Sequence, residues 1–416
     1  MTLTAPPLRR NRNFWLWWLG SAQSALGSSL ASIALALLVL NLSGSAGALG
    51  VNLALSLLPG LLSPLLGTLV DRIPLKVPLV LGDVLRGAFQ LTAGGLALRG
   101  QVSVEVLHLL ALLSGLVGAF YGPASMGVLP GLVQKSDLPR ATGLMQGTGQ
   151  SMQLLGLIGG GVLVGAVGSA AALIADGVSF VVFAGLLLLV RFPVRGAAAP
   201  GQFWAEFRGG LRYVRGSIVL TLLPILAFFI NATLAPMEML IPGRMQTLGA
   251  GAAGFGLFLG LLVGGGLLGS LAVVALGSRM RPRLFSVVGL FGIGVLLLCM
   301  ALTRTPLELY IVALLLGIVL AVNNNAISLL FMTLVDPAYF GRVGSLLNMV
   351  GTMGMPLTLL LLAPIADTVP IWAMFAASGA VTLIAAVIWR QALNREPAPD
   401  TAQLSNSPGE SSSPSK

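Results

Sequence analysis

The chain has 416 residues, and only 36 of them are charged: 23 Lys and Arg, and 13 Asp and Glu. This is 9% of the chain, whereas a soluble domain carries about 25% charged residues. A folded protein with so few charges cannot cover a water-exposed surface, so the composition excludes a soluble enzyme. The net charge of +10 does not indicate nucleic-acid binding either, because no hydrophilic domain gathers the basic residues. The sequence therefore predicts an integral membrane protein.

Twelve apolar runs follow one another along the chain, and each is at least 20 residues long. A helix of about 20 residues crosses the hydrocarbon core of a bilayer with its backbone groups satisfied internally. The runs lack the alternation of apolar and polar residues that marks a membrane β-barrel. We therefore predict an all-α membrane protein with twelve transmembrane helices. They lie at residues 14–41, 46–70, 77–98, 105–129, 142–166, 169–191, 217–241, 252–276, 284–303, 307–331, 344–364 and 369–390.

The basic residues are distributed unevenly between the two sides of the membrane that these spans define. Nineteen of the 23 fall on the side of the N-terminus, and three, Arg99, Arg244 and Arg304, fall on the other side. Arg86 lies within the third span. Because Lys and Arg favour cytoplasmic segments, we expect a multi-pass protein of the inner membrane with both termini in the cytoplasm.

An internal repeat divides the spans into two halves. Residues 132–144 and 334–346 are similar at a constant offset of 202, and each segment follows the fourth span of its half. This repeat favours two six-helix bundles. We predict a cytoplasmic N-terminus at 1–13, an N-terminal bundle at 14–191, a cytoplasmic linker at 192–216, a C-terminal bundle at 217–390 and a disordered cytoplasmic tail at 391–416.

The linker contains a short amphipathic pattern. Phe203, Phe207, Leu211 and Val214 recur at helical spacing, with arginines on the other side. This pattern predicts an amphipathic helix that lies on the cytoplasmic membrane surface. A solvated linker is the alternative.

The loop after the second span carries a recognisable motif. It reads Gly67-Thr-Leu-Val-Asp71-Arg72-Ile-Pro-Leu-Lys76. The motif resembles the signature loop of the major facilitator superfamily, with Gly67, Asp71, Arg72 and Lys76 at matching positions. Positions 74 and 75 depart from the usual Gly and Arg. The resemblance covers about residues 14–390 and implies twelve helices in two pseudo-symmetric bundles that give alternating access to a central cavity.

Four further fragments resemble the branch of this superfamily that contains macrolide-efflux proteins and the enterobactin exporter. They are residues 83–86, 121–124, 129–133 and 340–343. Each fragment is short, and their order along the chain carries the resemblance. The branch implies export of a small molecule.

The resemblance also implies a role for the signature loop. Gly67 allows two helices to approach closely, and the Asp71 carboxylate suits the N-terminus of a helix. In the superfamily that helix is the eleventh span, which here begins near Val343. Such a contact would lock the bundles together at the cytoplasmic side. The alternative is a basic turn that only fixes the topology.

Charged residues within spans are costly and indicate function. Asp83 and Arg86 are spaced i, i+3 and are predicted to form a structural charge pair. Asp176 in the sixth span and Glu238 in the seventh are candidates for proton coupling. For Asp176 the alternative is a carboxyl hydrogen-bonded to Ser179 or to a neighbouring helix. For Glu238 the alternative is a side chain that reaches the headgroup region.

Polar residues in the first, fourth, seventh and tenth spans are candidates for the cavity, because these helices line it in the superfamily. At least one residue of the asparagine run in the tenth span should face the interior at any helix rotation. Hydrogen bonding between helices is the alternative for each candidate. The candidates are Gln23, Ser28, Tyr121, Asn231, Asn323, Asn324 and Asn325.

The fifth span is rich in glycine. Gly147, Gly156, Gly160 and Gly165 fit the spacing of a motif found in drug/proton antiporters of the superfamily, while Gly161 replaces its proline. These glycines are predicted to let helices pack closely. Close packing with no bearing on the direction of transport is the alternative.

No phosphate-binding loop for ATP and no metal-binding cluster occurs in the sequence, so we expect no cofactor, no metal and no enzymatic activity. We predict proton-coupled efflux of an amphipathic small molecule, such as a drug, macrolide or siderophore, by a monomer in the bilayer. The alternatives are uptake or facilitated diffusion of a metabolite on the same fold, and a non-transporting receptor or scaffold.

Overall fold

The computed structural model describes residues 6–70, 72–192 and 203–395. Asp71, the segment 193–202 and the tail from residue 396 lie outside this part of the chain. The regular structure of the described residues is helical. The helices are α1 (Arg12–Ser43), α2 (Ala46–Leu57), α3 (Ser63–Val70), α4 (Lys76–Leu98), α5 (Val104–Met126), α6 (Val128–Leu132), α7 (Leu138–Val167), α8 (Ser169–Leu189), α9 (Phe203–Val214), α10 (Ile218–Thr247), α11 (Gly251–Leu276), α12 (Pro282–Leu302), α13 (Pro306–Leu334), α14 (Phe340–Leu362) and α15 (Ile371–Arg395).

The all-helical membrane fold is confirmed. Ten helical stretches of the described chain are long and apolar enough to cross a bilayer. The other two predicted spans are also helical. The second span is split into α2 and α3 by a 3-10 turn at Leu58–Leu62, where Pro59 lacks the backbone N–H that an α-helix needs. The third span is α4, which carries Lys76, Asp83 and Arg86.

Two helices extend beyond their predicted ends. The seventh span was expected to end at residue 241, yet α10 continues through Pro242 to Thr247. The tail was expected to begin at residue 391, yet α15 continues to Arg395. The fifth and sixth spans are separated by Gly168 alone, whose φ is +85°. Glycine adopts this left-handed backbone without steric cost, so a single residue turns the chain.

The predicted linker helix is present as α9, but it does not lie alone on a membrane surface. A Cβ atom at Gly210 would lie 2.9 Å from the backbone oxygen of Arg342 in α14, so the two helices touch. Tyr213 stacks on Tyr339 with ring centroids 4.2 Å apart, and Val214 is buried. The glycine permits this approach, and α9 packs on the C-terminal bundle as a result.

The two ends of the molecule differ in how the halves meet. We call the end at which α1 begins, where Lys76, Arg140 and Arg283 lie, the basic end, and the other the opposite end. We call residues 6–192 the N half and 203–395 the C half. At the opposite end one hydrophobic core runs through both halves and includes Leu37 and Met239. At the basic end each half has a core of its own.

Hydrogen bonds between described residues of the two halves also lie at the opposite end. The Asp367 carboxylate accepts one from the backbone N–H of Ala46, at 2.7 Å, and one from the Ser45 hydroxyl. Gln246 Nε2 donates to Asn41 Oδ1 at 2.9 Å. With separate cores at the basic end and a shared core at the opposite end, the molecule is closed at the opposite end and splayed at the basic end.

Candidate substrate cavity

Two cavities lie between the helices in the basic half of the molecule. The N-half cavity, of about 580 Å³, lies among α1, α4, α5, α7 and α8. The inter-half cavity, of about 550 Å³, lies among α2, α3, α5, α10 and α14. Met126 lines both and is 82% exposed. The two cavities therefore adjoin at Met126, and residues of both halves line the inter-half cavity.

Three of the predicted cavity residues line the two cavities, and Gln23 does not. Ser28 and Tyr121 line the N-half cavity, and Asn231 lines the inter-half cavity. Gln23 does not line either cavity, because its Nε2 donates to the backbone oxygen of Ser179 at 2.7 Å. Gln23 thus ties α1 to α8.

The asparagine run of α13 is outside both cavities. Asn323 is fully buried, and a Cβ atom at Gly289 of α12 would lie 2.9 Å from its Oδ1. Both amide atoms of Asn323 have no hydrogen-bond partner in the described chain. Asn324 is exposed, and Asn325 Nδ2 donates to Ala321 in its own helix at 2.8 Å. In this conformation the run contributes to helix packing rather than to the cavity.

Asp83 and Arg86 do not form the predicted direct pair. The Tyr121 ring contacts both residues and packs on α4 beside Gly82, where a Cβ atom would lie 2.7 Å from Tyr121 Cδ2. The Tyr121 hydroxyl donates to Asp83 Oδ2 at 3.3 Å. The Arg86 guanidinium lies over the same ring, 4.6 Å from its centroid. Arg86 lines the N-half cavity, so a residue expected to be structural faces the candidate substrate.

Asp176 is the centre of a buried hydrogen-bond cluster. Its Oδ1 accepts from Ser28 Oγ at 3.2 Å and from Ser179 Oγ at 3.4 Å, and its Oδ2 accepts from Gln90 Nε2 at 3.0 Å. The donors come from α1, α8 and α4, so the carboxylate joins three helices of the N half. Asp176 has no exposed surface and is separated from the cavity by Ser28. This geometry matches the alternative of a hydrogen-bonded carboxyl.

Glu238 lies on α10 toward the opposite end and is half-buried. Within the described residues its carboxyl has no hydrogen-bond partner. Arg244, which is close to it in sequence, instead donates from Nη2 to the backbone oxygen of Thr303 at 2.9 Å. Glu238 is therefore a carboxyl without a fixed partner, on the closed side of the inter-half cavity.

The signature loop lies at the basic end. Lys76 Nζ donates to the backbone oxygen of Leu188 at 2.6 Å, where a cation suits the end of α8. Arg72 is exposed, and a Cβ atom at Gly67 would make ordinary contact with Pro123 of α5, at 3.6 Å. Asp71 lies outside the described residues.

Of the four predicted packing glycines, two pack closely. A Cβ atom at Gly156 would lie 2.7 Å from the backbone oxygen of Leu26, and one at Gly160 would lie 2.9 Å from Leu30 Cα, so α7 lies directly on α1. Gly165 is at the limit of contact, and Gly147 has open space around it. Gly147 therefore has no packing role in this conformation.

The glycine that replaces the proline of the antiporter motif joins the two halves. A Cβ atom at Gly161 of α7 would lie 3.0 Å from Gly256 Cα of α11, and one at Gly256 would lie 2.5 Å from the Leu157 backbone oxygen. The backbones of α7 and α11 thus meet at the opposite end, with no room for a side chain.

Sequence reasoning missed Gln90 and Phe180. Gln90 donates to Asp176, and the Phe180 ring centroid lies 5.8 Å from the Arg86 guanidinium carbon. A signal for Gln90 was available, because it follows Arg86 at i+4 and Asp83 at i+7 and so shares their face of α4. No sequence signal separated Phe180 from the other apolar residues of its span.

Comparison with known proteins identifies the family. The family model described as the Major Facilitator Superfamily matches residues 17–359 and again 237–414. The chain belongs to the Major Facilitator Superfamily. It is therefore a multi-pass secondary transporter for a small molecule, and not an enzyme.

The curated relatives of this superfamily member include efflux proteins. The chain is 25% identical over 390 residues to macrolide efflux protein A of Streptococcus pyogenes, covering 90% of this chain and 94% of the relative. It is 26% identical over 369 residues to the multidrug efflux pump Tap of Mycobacterium tuberculosis (strain ATCC 25618 / H37Rv), covering 85% and 87%. The chain is thus distantly related to drug and macrolide efflux pumps.

Solved structures show the same fold. The nucleoside transporter NupG matches with a TM-score of 0.74 at 13% identity, covering 93% of this chain and 100% of that one. A bacterial homologue of the human lysosomal transporter Spinster, in an inward-facing and unoccupied conformation, matches with a TM-score of 0.71 at 14% identity, covering 94% and 99%. These similarities show that the chain shares the fold of these transporters.

Proposed function

We propose that this transporter exports amphipathic small molecules from the cytoplasm in exchange for protons. The observation that carries the proposal is the pair of adjoining, largely apolar cavities, in a molecule whose halves share a core at the opposite end and have separate cores at the basic end. A solute of mixed polarity fits a cavity with apolar walls and a few polar groups. The excess of basic residues supports a cytoplasmic basic end, so the cavities would load from the cytoplasm. The relationship to efflux pumps supports export.

Alternating access gives roles to the remaining candidates. The two halves, taken as bundles 14–191 and 217–390, would rock about the cavity. Gly67, Asp71, Arg72 and Lys76 of the signature loop would close the cytoplasmic side in the outward-open state. Glu238 is a carboxyl of the C half that could exchange protons, whereas the three hydrogen-bond donors around Asp176 favour a structural carboxylate in the N half. Residues of one chain line both cavities, which supports a monomer in the inner membrane as the working unit.

An accumulation assay in bacterial cells tests this proposal. Cells that express the chain are expected to hold less ethidium, a fluorescent amphipathic cation, than cells that carry an empty vector. D71N should insert at the wild-type level yet lower ethidium no more than the empty vector, because the cytoplasmic lock loses its charge. A panel of drugs, macrolides and siderophores extends the assay. If expression changes the accumulation of none of these compounds, the efflux proposal is wrong.

A further inference from the structure

Asp83 is a buried carboxyl whose hydrogen bonding is only half satisfied. It has no exposed surface. Oδ2 accepts a hydrogen bond from Tyr121, whereas Oδ1 has no partner in the described chain. Burying an ionised carboxylate with an unpaired oxygen costs far more than burying a neutral acid in the same place. Asp176 differs, because three donors surround it. The geometry at Asp83 fits the protonated acid, and the geometry at Asp176 fits the carboxylate.

The position of Arg86 supports the same reading. An arginine three residues along a helix can reach the carboxylate and form a charge-assisted hydrogen bond. Here the guanidinium is instead held by two aromatic rings, 4.6 Å from the Tyr121 centroid and 5.8 Å from the Phe180 centroid. A cation–π contact is worth less than a buried charge-assisted pair. Arg86 would be expected to leave the rings if Asp83 were ionised.

We propose that Asp83 is a proton-binding site and that Arg86 alternates between the two rings and the ionised Asp83 carboxylate. This rests on the proposed function, in that the cavity is taken to be the substrate site. In the present state Asp83 holds the proton and Arg86 covers Tyr121 and Phe180. When the proton leaves to water in the cavity, the carboxylate draws the guanidinium away and the faces of both rings become free.

The freed site suits a cationic amphipathic solute. When the ionised Asp83 pairs with Arg86, their charges cancel. The three residues Asp83, Arg86 and Asp176 then carry a net charge of −1, which comes from the Asp176 carboxylate. Tyr121 and Phe180 then present aromatic faces to the cavity, and such faces bind organic cations. A proton and a cationic solute would exclude each other at this site, and mutual exclusion of this kind produces exchange.

The titratable groups around Asp83 are few. From α5 it meets Tyr121, and from its own helix Arg86. Asp176 of α8 accepts a hydrogen bond from Gln90, which follows Asp83 by two turns of α4. Lys76 is two turns away in the other direction and is engaged with the end of α8. Tyr121 and Arg86 are therefore the titratable neighbours that act directly on Asp83.

Infrared difference spectroscopy on the purified full chain tests the proton site without a substrate. A jump to higher pH should remove the carbonyl band of a protonated carboxyl in the wild type. D83N should lack this band, and the exposed-site control E105Q should keep it. If D83N keeps the band, the assignment to Asp83 is overturned, and loss of the band in D176N would assign it to Asp176. If D83N does not fold, Y121F serves instead and should shift the band to higher wavenumber, because the carbonyl loses its donor. An unshifted band would also overturn the assignment.

Ethidium binding in weak buffer tests the exchange. The wild type and E105Q should release about one proton for each ethidium bound, because binding of one ligand expels the other. D83N should bind ethidium without releasing a proton, and equal release from D83N would overturn the proposal. A wild type that shows the infrared band but moves no compound of the panel would contradict the proposed function while leaving the proton site intact.

Discussion

A leucine at Gly256 is expected to abolish transport without preventing membrane insertion. A Cβ atom at this position would lie 2.5 Å from the Leu157 backbone oxygen and 2.8 Å from Gly161 Cα, and helical backbone cannot yield as a flexible side chain can. Overpacking a close contact costs about 1–3 kcal/mol, which would lower the population of the state closed at the opposite end by roughly 5- to 150-fold. Ethidium accumulation, corrected for the amount of protein in the membrane, measures the loss.

The control for this prediction lies two turns along the same helix. A Cβ atom at Gly264 would meet nothing within 4 Å, so G264L adds the same side chain to α11 at a position where the backbone has no close neighbour. G264L is expected to transport at close to the wild-type rate. Equal activity of G256L and G264L would show that the contact between α7 and α11 does not stabilise the state closed at the opposite end.

Joining Asn41 to Gln246 is expected to stop transport reversibly. Their side chains are hydrogen-bonded at 2.9 Å across the closed end, and this end must open for a substrate to leave on that side. N41C and Q246C in a C299S background place two thiols there, since Cys299 is the single native cysteine. A short bis-methanethiosulfonate reagent should cross-link them and reduce ethidium export to background. A reductant should restore it, because it cleaves the link without altering the protein.

Each single-cysteine variant controls for modification without cross-linking. These variants should keep their activity when treated with the same reagent. A fully cross-linked double variant that still transports at the untreated rate would contradict alternating access through this end of the molecule.

The sequence predicted the helices well because a span depends on local composition. Asp83 and Arg86 did not prevent the identification of α4, since the rest of that run is apolar. The predictions that failed concerned side-chain contacts, which depend on residues of other helices. The spacing of Asp83 and Arg86 predicted a pair, but both contact Tyr121 from another helix instead. The spacing alone could not show that Gly82 leaves room for that ring.

The roles of the two buried aspartates illustrate the same limit. Asp176 stood out in the sequence because no basic residue is near it in its own helix. Its donors Ser28 and Gln90 come from α1 and α4, and their convergence depends on how three helices are rotated. Asp83 looked satisfied by its neighbour in sequence, yet one of its oxygens is unpaired. Hydrogen bonding between helices therefore decides which carboxyl is available to a proton.

Ethidium flux in inside-out membrane vesicles tests the central claim, proton-driven export from the cytoplasmic side, most directly. With the basic end on the cytoplasmic side, as proposed, that end faces the outer solution in such vesicles and the cavities are accessible from it. Energising the membrane should drive ethidium into vesicles that contain the wild type, and collapsing the proton gradient should release it. G256L vesicles should show neither effect. Uptake confined to right-side-out vesicles, or uptake that is unchanged when the gradient is collapsed, would contradict the account.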